Sequence, residues 1–233
     1  MNELNFASMK HRVLSHYQPL RNRALGHGGR ESGSDIPNAY RLFFQESLRS
    51  MGPTASMFPS SRYLASALTK PIDFRRARTV VELGPGTGAV TNEILKRMRP
   101  DAKLFAIDIN PTFIDHLRAT CQDPRLVAVR GSATDLRSLL APHDIESVDA
   151  VVSSLGLTGM DHRTRMFIMR QVGGCLASHG TMTQYQYSGH FEMARLRLGG
   201  FNEVRFLRRF FGEVSVGRVL LNLPPALVFT CRK

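Results

Sequence analysis

The run Val80-Val81-Glu82-Leu83-Gly84-Pro85-Gly86-Thr87-Gly88-Ala89-Val90 constrains this chain more than any other stretch. A short apolar segment, 79–83, enters it, and apolar residues at helical spacing (Val90, Ile94, Leu95, Met98) leave it. Alternate glycines let the backbone turn tightly and come close to a ligand. A strand, a glycine loop and a helix in that order form the place where an open α/β sheet binds its ligand. The alternation continues downstream. Strands are predicted over 103–107, 126–129, 148–152 and 181–187, with helices over 111–120 and 164–176 between them. Segments 213–221 and 226–231 flank Asn222-Leu223-Pro224-Pro225 and read as a closing antiparallel hairpin; a further helix is predicted over 192–198. This pattern predicts a seven-stranded, mostly parallel sheet with helices on both faces.

Three ligands compete for such a loop. A phosphate-cradling loop needs Lys-Ser/Thr after its last glycine, and Ala89-Val90 stands there instead. A dinucleotide fingerprint needs G-x-G-x-x-G, whereas the spacing here is G-x-G-x-G. The third ligand is S-adenosylmethionine (SAM), whose sulfonium and amino groups are cationic. Glu82, just before the loop, suits a cation and repels phosphate. Asp108, ending the second strand, is placed to accept from both ribose hydroxyls. Asp135, in Gly131-Ser132-Ala133-Thr134-Asp135 after the third strand, is placed to accept from the adenine amine. An acid before the loop and acids after two successive strands point to SAM and its product S-adenosylhomocysteine.

Before this core, residues 1–37 mix Gly26-His27-Gly28-Gly29 with scattered arginines and read as a flexible arm. Tyr40, Phe43, Phe44, Ser47, Leu48 and Met51 share one face of a predicted helix over 38–51, with Arg41, Gln45, Glu46 and Arg49 opposite. Such a face suits either packing on the domain or lying in a membrane interface. A second short helix follows within 57–68, with Ser60 or Ser61 as its expected N-cap. Residues 38–70 are thus read as amphipathic lid or membrane-binding helices and 71–233 as the catalytic domain. The net charge of +12 is densest at the two ends, +3 over 1–51 and +5 over 191–233, against +4 over 52–190. That excess favours a polyanion, either nucleic acid or an anionic lipid surface. No apolar run is long enough to span a bilayer and no secretory leader is visible, so a cytoplasmic protein is expected. The three cysteines and eight histidines show no metal-ligand spacing, so no metal is expected.

These residues resemble the class I SAM-dependent methyltransferases, with their Rossmann-like sheet, over about residues 79–187. Several flanking segments are similar to those of the bacterial phospholipid N-methyltransferases: Phe58-Pro59-Ser60-Ser61-Arg62, Val152-Ser153-Ser154-Leu155, Gln184-Tyr185-Gln186-Tyr187 and Asn222-Leu223-Pro224-Pro225-Ala226. That resemblance implies methyl transfer to the amine of phosphatidylethanolamine or an ornithine lipid. It implies a monomer held peripherally on the inner face of the membrane by the 38–51 helix and basic residues. It implies cofactor contacts from Ser60, Ser61, Glu82, Gly84, Pro85, Gly86, Thr87, Gly88, Asp108, Ile109, Ala133, Thr134, Asp135 and Ser153.

Methyl transfer is an in-line displacement whose rate comes mostly from holding nucleophile and methyl in line. Tyr185 and Tyr187 are candidates for holding the head group, and Ser153 and Ser154 for accepting from the amine. Arg62 and Arg218 are candidates for the lipid phosphate. Two other functions fit less of the sequence. An RNA adenine N6-dimethyltransferase shares the glycine loop and suits the charge, but needs an aromatic residue after strand four, where Ser153-Ser154-Leu155-Gly156 stands. A binding module without turnover has no need of Glu82, Asp108 and Asp135 together.

Overall fold

The computed structural model describes residues 60–187, 202–222 and 225–233. The arm over 1–37, the 38–51 helix and the 192–198 helix lie outside these residues. Seven strands form one sheet: β1 (Thr79–Leu83), β2 (Lys103–Asp108), β3 (Leu126–Arg130), β4 (Val148–Ser153), β5 (Leu176–Tyr187), β6 (Glu213–Val219) and β7 (Ala226–Arg232). Their spatial order is β3-β2-β1-β4-β5-β7-β6. The first five are mutually parallel, and β7 runs antiparallel between β5 and β6. The chain order reverses direction at β1, so the C-terminal ends of β1 and β4 open a crevice there.

The helices are α1 (Ser60–Thr69), α2 (Ala89–Arg97), α3 (Pro111–Thr120), α4 (Leu136–Leu140), α5 (His162–Cys175) and α6 (Glu203–Leu207). They divide the core in two. On one face Val80, Leu104, Ala150 and Val152 pack with Leu64 and Leu68 of α1 and Ile94 and Leu95 of α2. On the other Val81, Leu83, Phe105 and Ile107 pack with Ile168, Met169 and Val172 of α5. Burial on both faces explains why the central strands read as continuous apolar runs rather than alternating ones.

The helix starts follow local chemistry. Asn110 Oδ1 accepts from Thr112 N–H at 3.0 Å, with Pro111 in the first turn of α3. Asp161 accepts from both Thr164 N–H (3.0 Å) and Thr164 Oγ1 (2.6 Å), and these bonds hold its carboxyl below the usual range. Strands β2, β3, β4 and β7 each run one residue past the sequence expectation, and other boundaries differ for a physical reason. Helix α1 begins at Ser60, so Ser60 and Ser61 form its first turn rather than capping it. Helix α5 spans His162–Cys175, and β5 starts at Leu176, not at 181. Residues 177–180 there form an irregularity, since Val148 pairs with Leu176 but Ala150 with Thr181. A Cβ on Gly180 would come within 2.7 Å of Leu176, so the bend needs a glycine. Strand β6 ends at Val219, leaving Leu220 and Leu221 in the turn.

Candidate functional site

The glycine loop leaves β1 in a conformation that side chains disfavour. Gly84, Gly86 and Gly88 have φ of 76°, 53° and 85°, the left-handed region that costs other residues about 1–2 kcal/mol. Their surroundings differ. A Cβ on Gly84 would sit 3.2 Å from Leu155 Cδ2, and one on Gly88 would sit 3.0 Å from Leu117 Cδ1. A Cβ on Gly86 would meet nothing within 4 Å. Gly86 therefore faces open space, the space a ligand needs. Main-chain bonds fix the frame: Gly84 N–H donates to Ile107 O at 2.9 Å, and Ser154 N–H donates to Leu83 O at 2.8 Å.

Glu82 is fully buried beneath this loop. Its Oε2 accepts from Thr91 Oγ1 at 2.7 Å, while its Oε1 is buried without a hydrogen-bond partner among the described residues. Burial pushes its carboxyl up to about 8; the Thr91 hydrogen bond opposes this, and the neighbouring Asp108 charge adds to it. A buried carboxyl oxygen with no donor is costly unless a ligand supplies one. Asp108 is 7% exposed at the end of β2. Its Oδ1 accepts from Asn110 N–H at 2.8 Å. Burial raises its carboxyl too, opposed by the backbone N–H groups of Asn110, Gly86 and Ile109. Beyond β3, Gly131 N–H donates to Asp108 O at 3.0 Å, and a 3-10 turn, Ala133–Asp135, follows. Ala133 and Thr134 are half-buried there and Asp135 is exposed. The turn is tied by Ser132 Oγ, which accepts from Thr134 N–H (3.2 Å) and Thr134 Oγ1 (2.8 Å).

The aminoacyl and ribosyl ends of SAM fit these groups. The unpartnered Glu82 Oε1 is an acceptor for a cationic amino group, Gly86 leaves room for the chain, and the Asp108 carboxylate suits a diol. Pro85 is buried and Thr87 exposed in the loop, and Ile109 is half-buried after Asp108. Among the described residues no three His, Cys, Asp or Glu side chains gather to hold a metal.

The register lines up a second group of candidates. Ile107, Leu83, Ser153 and Gln184 stand side by side across β2, β1, β4 and β5. Ser153 is fully buried, with Leu155 N–H 3.4 Å from its Oγ, so it faces the protein and not an open pocket. Ser154 and Tyr185 follow one position on. Tyr185 and Tyr187 are half-buried and meet edge to face, with centroids 5.1 Å apart. They line a cavity of about 140 Å³ with Leu155, Thr158, Gln184 and Glu203. Leu155 thus touches the cavity on one side and approaches Gly84 on the other. Ser154 is not among its lining residues, and neither is Arg62 or Arg218; both arginines are exposed. The Arg62 guanidinium lies 5.9 Å from the Tyr63 ring centroid. A larger depression, about 540 Å³, lies around Lys96, Pro100 and Arg125 at the other end of α2, away from the loop.

Sequence reasoning missed Gln184 and Glu203 as cavity residues. Gln184 was visible only as part of a tyrosine-bearing strand. Glu203 enters through α6, a five-residue helix too short for a periodic signal. Its one local sign was Asn202, whose side chain accepts from Arg205 N–H at 2.9 Å.

Comparison with known proteins gives a consistent result. The methyltransferase domain family matches residues 80–180. The ornithine lipid N-methyltransferase of Singulisphaera acidiphila is 35% identical over 179 residues, 76% of this chain and 88% of that protein. The ribosomal RNA small subunit methyltransferase A of Geobacter metallireducens is 26% identical over 184 residues, 68% of this chain and 65% of that protein. Among solved structures, the 1,6-didemethyltoxoflavin N1-methyltransferase of Burkholderia thailandensis, with S-adenosylhomocysteine bound, aligns with a TM-score of 0.64 at 16% identity. It covers 89% of this chain and 93% of its own. The N-methyltransferase NodS of Bradyrhizobium japonicum, also with S-adenosylhomocysteine, aligns with a TM-score of 0.63 at 15% identity, covering 84% and 98%. Those two likenesses speak for the fold, and the first relative carries the family. The chain belongs to the class I methyltransferases, in the family of the ornithine lipid N-methyltransferase, and is a SAM-dependent N-methyltransferase.

Proposed function

We propose that the protein methylates the amine of a membrane lipid head group, that of an ornithine lipid or phosphatidylethanolamine. The observation that carries this reading is the 35% identity to an ornithine lipid N-methyltransferase over most of both chains. The site agrees with it. The cavity beside the glycine loop offers two tyrosine rings, an amide and a carboxylate, which suit an amine rather than a phosphate.

Bound SAM supplies the electrophilic methyl on a sulfonium. This chain's residues hold and orient. Glu82 and the 84–88 loop take the aminoacyl end, Asp108 the ribose and the 133–135 turn the adenine. Tyr185 and Tyr187 form one wall for the acceptor. The attacking nitrogen must be unprotonated and in line with the methyl, so positioning dominates the rate. Ser153 keeps Leu155 in place and does not meet the amine.

The membrane would be reached at the same end of the sheet. Tyr187 pairs with Ala226, and Ala226 with Val219. The turn after Val219 therefore lies beside the acceptor cavity, and it carries Leu220 at 75% exposure and Leu221 at 69%, next to exposed Arg218. Adjacent exposed leucines with a flanking arginine suit an anionic lipid interface. No helix among the described residues is long and apolar enough to cross a bilayer; the lipid reading itself calls for a peripheral position on the membrane face that presents the head group.

The second reading, adenine in RNA, has the 26% identity to a ribosomal RNA methyltransferase in its favour. Against it, residues 153–156 after β4 present no ring on which a base could stack. Incubation with methyl-labelled SAM, total bacterial lipids and an RNA control decides between them. Label in a mono-, di- or trimethylated lipid supports the lipid reading and identifies the head group; label in RNA alone overturns it. A rise in melting temperature with SAM but label in neither would indicate a fold that binds without turnover.

A further inference from the structure

Strand β4 ends at Ser153, while β5 runs on to Tyr187. Gln184 pairs with Ser153 and is the last residue of β5 with a partner in β4. Beyond it, Tyr185, Gln186 and Tyr187 pair with β7. The chain leaving β4 crosses the end of β1 at this point, where Ser154 N–H donates to Leu83 O at 2.8 Å. Leu155 comes next and faces two places at once. Its Cδ2 would stand 3.2 Å from a Cβ on Gly84 of the glycine loop, and the residue lines the cavity that holds Tyr185 and Tyr187.

What holds Leu155 there is a buried amide. Gln184 is 1% exposed. Its Nε2 donates to Leu155 O at 2.7 Å and to Tyr185 O at 2.8 Å. One neutral NH2 group thus meets two carbonyls, and so ties the exit of β4 to β5. An ionised glutamate would bring no donor to this place, and a lysine would bury a charge. Leu155 O also accepts from Leu157 N–H at 2.9 Å, and Leu155 N–H lies 3.4 Å from Ser153 Oγ. Both main-chain polar groups of Leu155 are engaged, which sets the direction of its side chain. Among the described residues, no other side chain from a neighbouring strand bonds residues 154–159.

We infer that Gln184 is a positioning residue for methyl transfer: it pins the main chain of Leu155, and the Leu155 side chain then forms the wall shared by the glycine loop and the cavity beside it. The inference rests on the N-methyltransferase reading above and says how this chain aligns donor with acceptor. Gln184 acts through Leu155, not on the reacting atoms. If Leu155 moves away from Gly84, the frame of the cofactor loop loosens and the cavity wall shifts in the same step. An in-line displacement is sensitive to such shifts, at about a hundredfold in rate per 1 Å.

The test uses the full-length protein and three variants: Gln184→Met, which keeps the length and removes both donors, Leu155→Ala, and the two combined. Affinity for S-adenosylhomocysteine is measured by calorimetry, and methyl transfer to phosphatidylethanolamine and to ornithine lipid in detergent micelles by label, well below the melting temperature of each variant. Gln184→Met is expected to weaken S-adenosylhomocysteine about fivefold, the scale of a neutral hydrogen bond. It should lower kcat about tenfold or more while KM for lipid stays within about threefold. A loss of stability alone would not split kcat from KM. The combined variant should be no weaker than Leu155→Ala alone, because the amide has nothing left to position. Additive effects overturn the inference, and so does a Gln184→Met protein within about twofold of wild type in both affinity and kcat. Because Gln184 is buried, half-buried Leu155 gives a second, separate check. Leu155→Ala with S-adenosylhomocysteine affinity within about twofold of wild type would overturn the shared wall. Non-additive loss of S-adenosylhomocysteine affinity with no lipid methylated would keep the inference and overturn the lipid reading. Lipid methylation unaffected by Gln184→Met would do the reverse.

Discussion

Thr91 Oγ1 donates to Glu82 Oε2 at 2.7 Å, joining the first turn of α2 to the end of β1 just before the glycine loop. This bond is what holds a carboxyl in a place that water does not reach. Burial still wins, and Glu82 keeps its proton up to about pH 8. The unfolded chain releases that proton in the ordinary carboxyl range, near 4.5. Between those values the folded state binds more protons than the unfolded one, so stability falls as pH rises. The protein without cofactor should therefore lose melting temperature from about pH 5 to pH 8, and Glu82→Gln should flatten that decline. The carboxyls of Asp101, Asp123 and Asp161 are shifted downward and act only in more acidic solution, where stability falls as pH falls.

The same carboxyl predicts how cofactor affinity depends on pH. A cationic amino group favours ionised Glu82, so binding at neutral pH releases a proton. Affinity for S-adenosylhomocysteine should rise between pH 6 and 8, and calorimetry in buffers of different ionisation enthalpy should count the proton. Thr91→Val removes the hydrogen bond, raises Glu82 further and should lower affinity at pH 7 while leaving the pH slope in place. A slope unchanged by Glu82→Gln would assign the released proton to another group.

Gly86 and Gly88 should answer differently to alanine. Both need positive φ, worth about 1–2 kcal/mol. Gly86 faces open space, so Gly86→Ala should cost little more than that in stability while placing a methyl in the space proposed for the cofactor; binding should fall at least tenfold. Gly88→Ala adds a contact with Leu117 at 3.0 Å, for a total of roughly 2–4 kcal/mol. Denaturant unfolding of both, with and without S-adenosylhomocysteine, separates the two effects.

Arg125 holds together the end of the sheet opposite the site. Its guanidinium donates to Leu95 O (2.8 Å), Met98 O (2.9 Å) and Arg99 O (3.2 Å), and pairs with Asp123 at 2.6 Å. It thereby closes the C-terminus of α2, whose last carbonyls have no partner within the helix. Arg125→Ala should cost about 2–3 kcal/mol and lower the melting temperature by roughly 5–10 °C. Cofactor affinity at 20 °C should not change, since Gly88 at the other end of α2 keeps its place.

Much of this fold was legible in the sequence, because buried parallel strands and glycine loops leave compact local signals. Strand β1 and helix α3 fall at the predicted boundaries, since Gly84 stops one and Pro111 starts the other. The start of β5 was not legible. Residues 164–176 keep a helical period to their end, and only the pairing of Leu176 with Val148 turns the last of them into strand. The positions of Glu82, Asp108 and Asp135 could be read along the chain, because each stands at or just after the end of a strand. Gln184 and Glu203 could not. One sits inside a strand and the other on a short helix brought to the cavity by tertiary packing, and neither position leaves a mark in spacing.

Leu220 and Leu221 offer the final test, since two exposed leucines beside an arginine serve no packing purpose in the described residues. Fully burying a leucine contributes about 1.5–3 kcal/mol, so partial insertion of the pair into a lipid interface is worth on the order of a hundredfold in partitioning. Replacing both with serine should therefore weaken sedimentation with anionic vesicles by that order and raise KM for vesicular lipid. It should leave kcat on lipid in detergent micelles near the wild-type value. Arg218→Gln should reduce binding less, and its effect should vanish at high salt, whereas the leucine effect should persist. Equal binding by the serine variant would show that this turn makes no membrane contact.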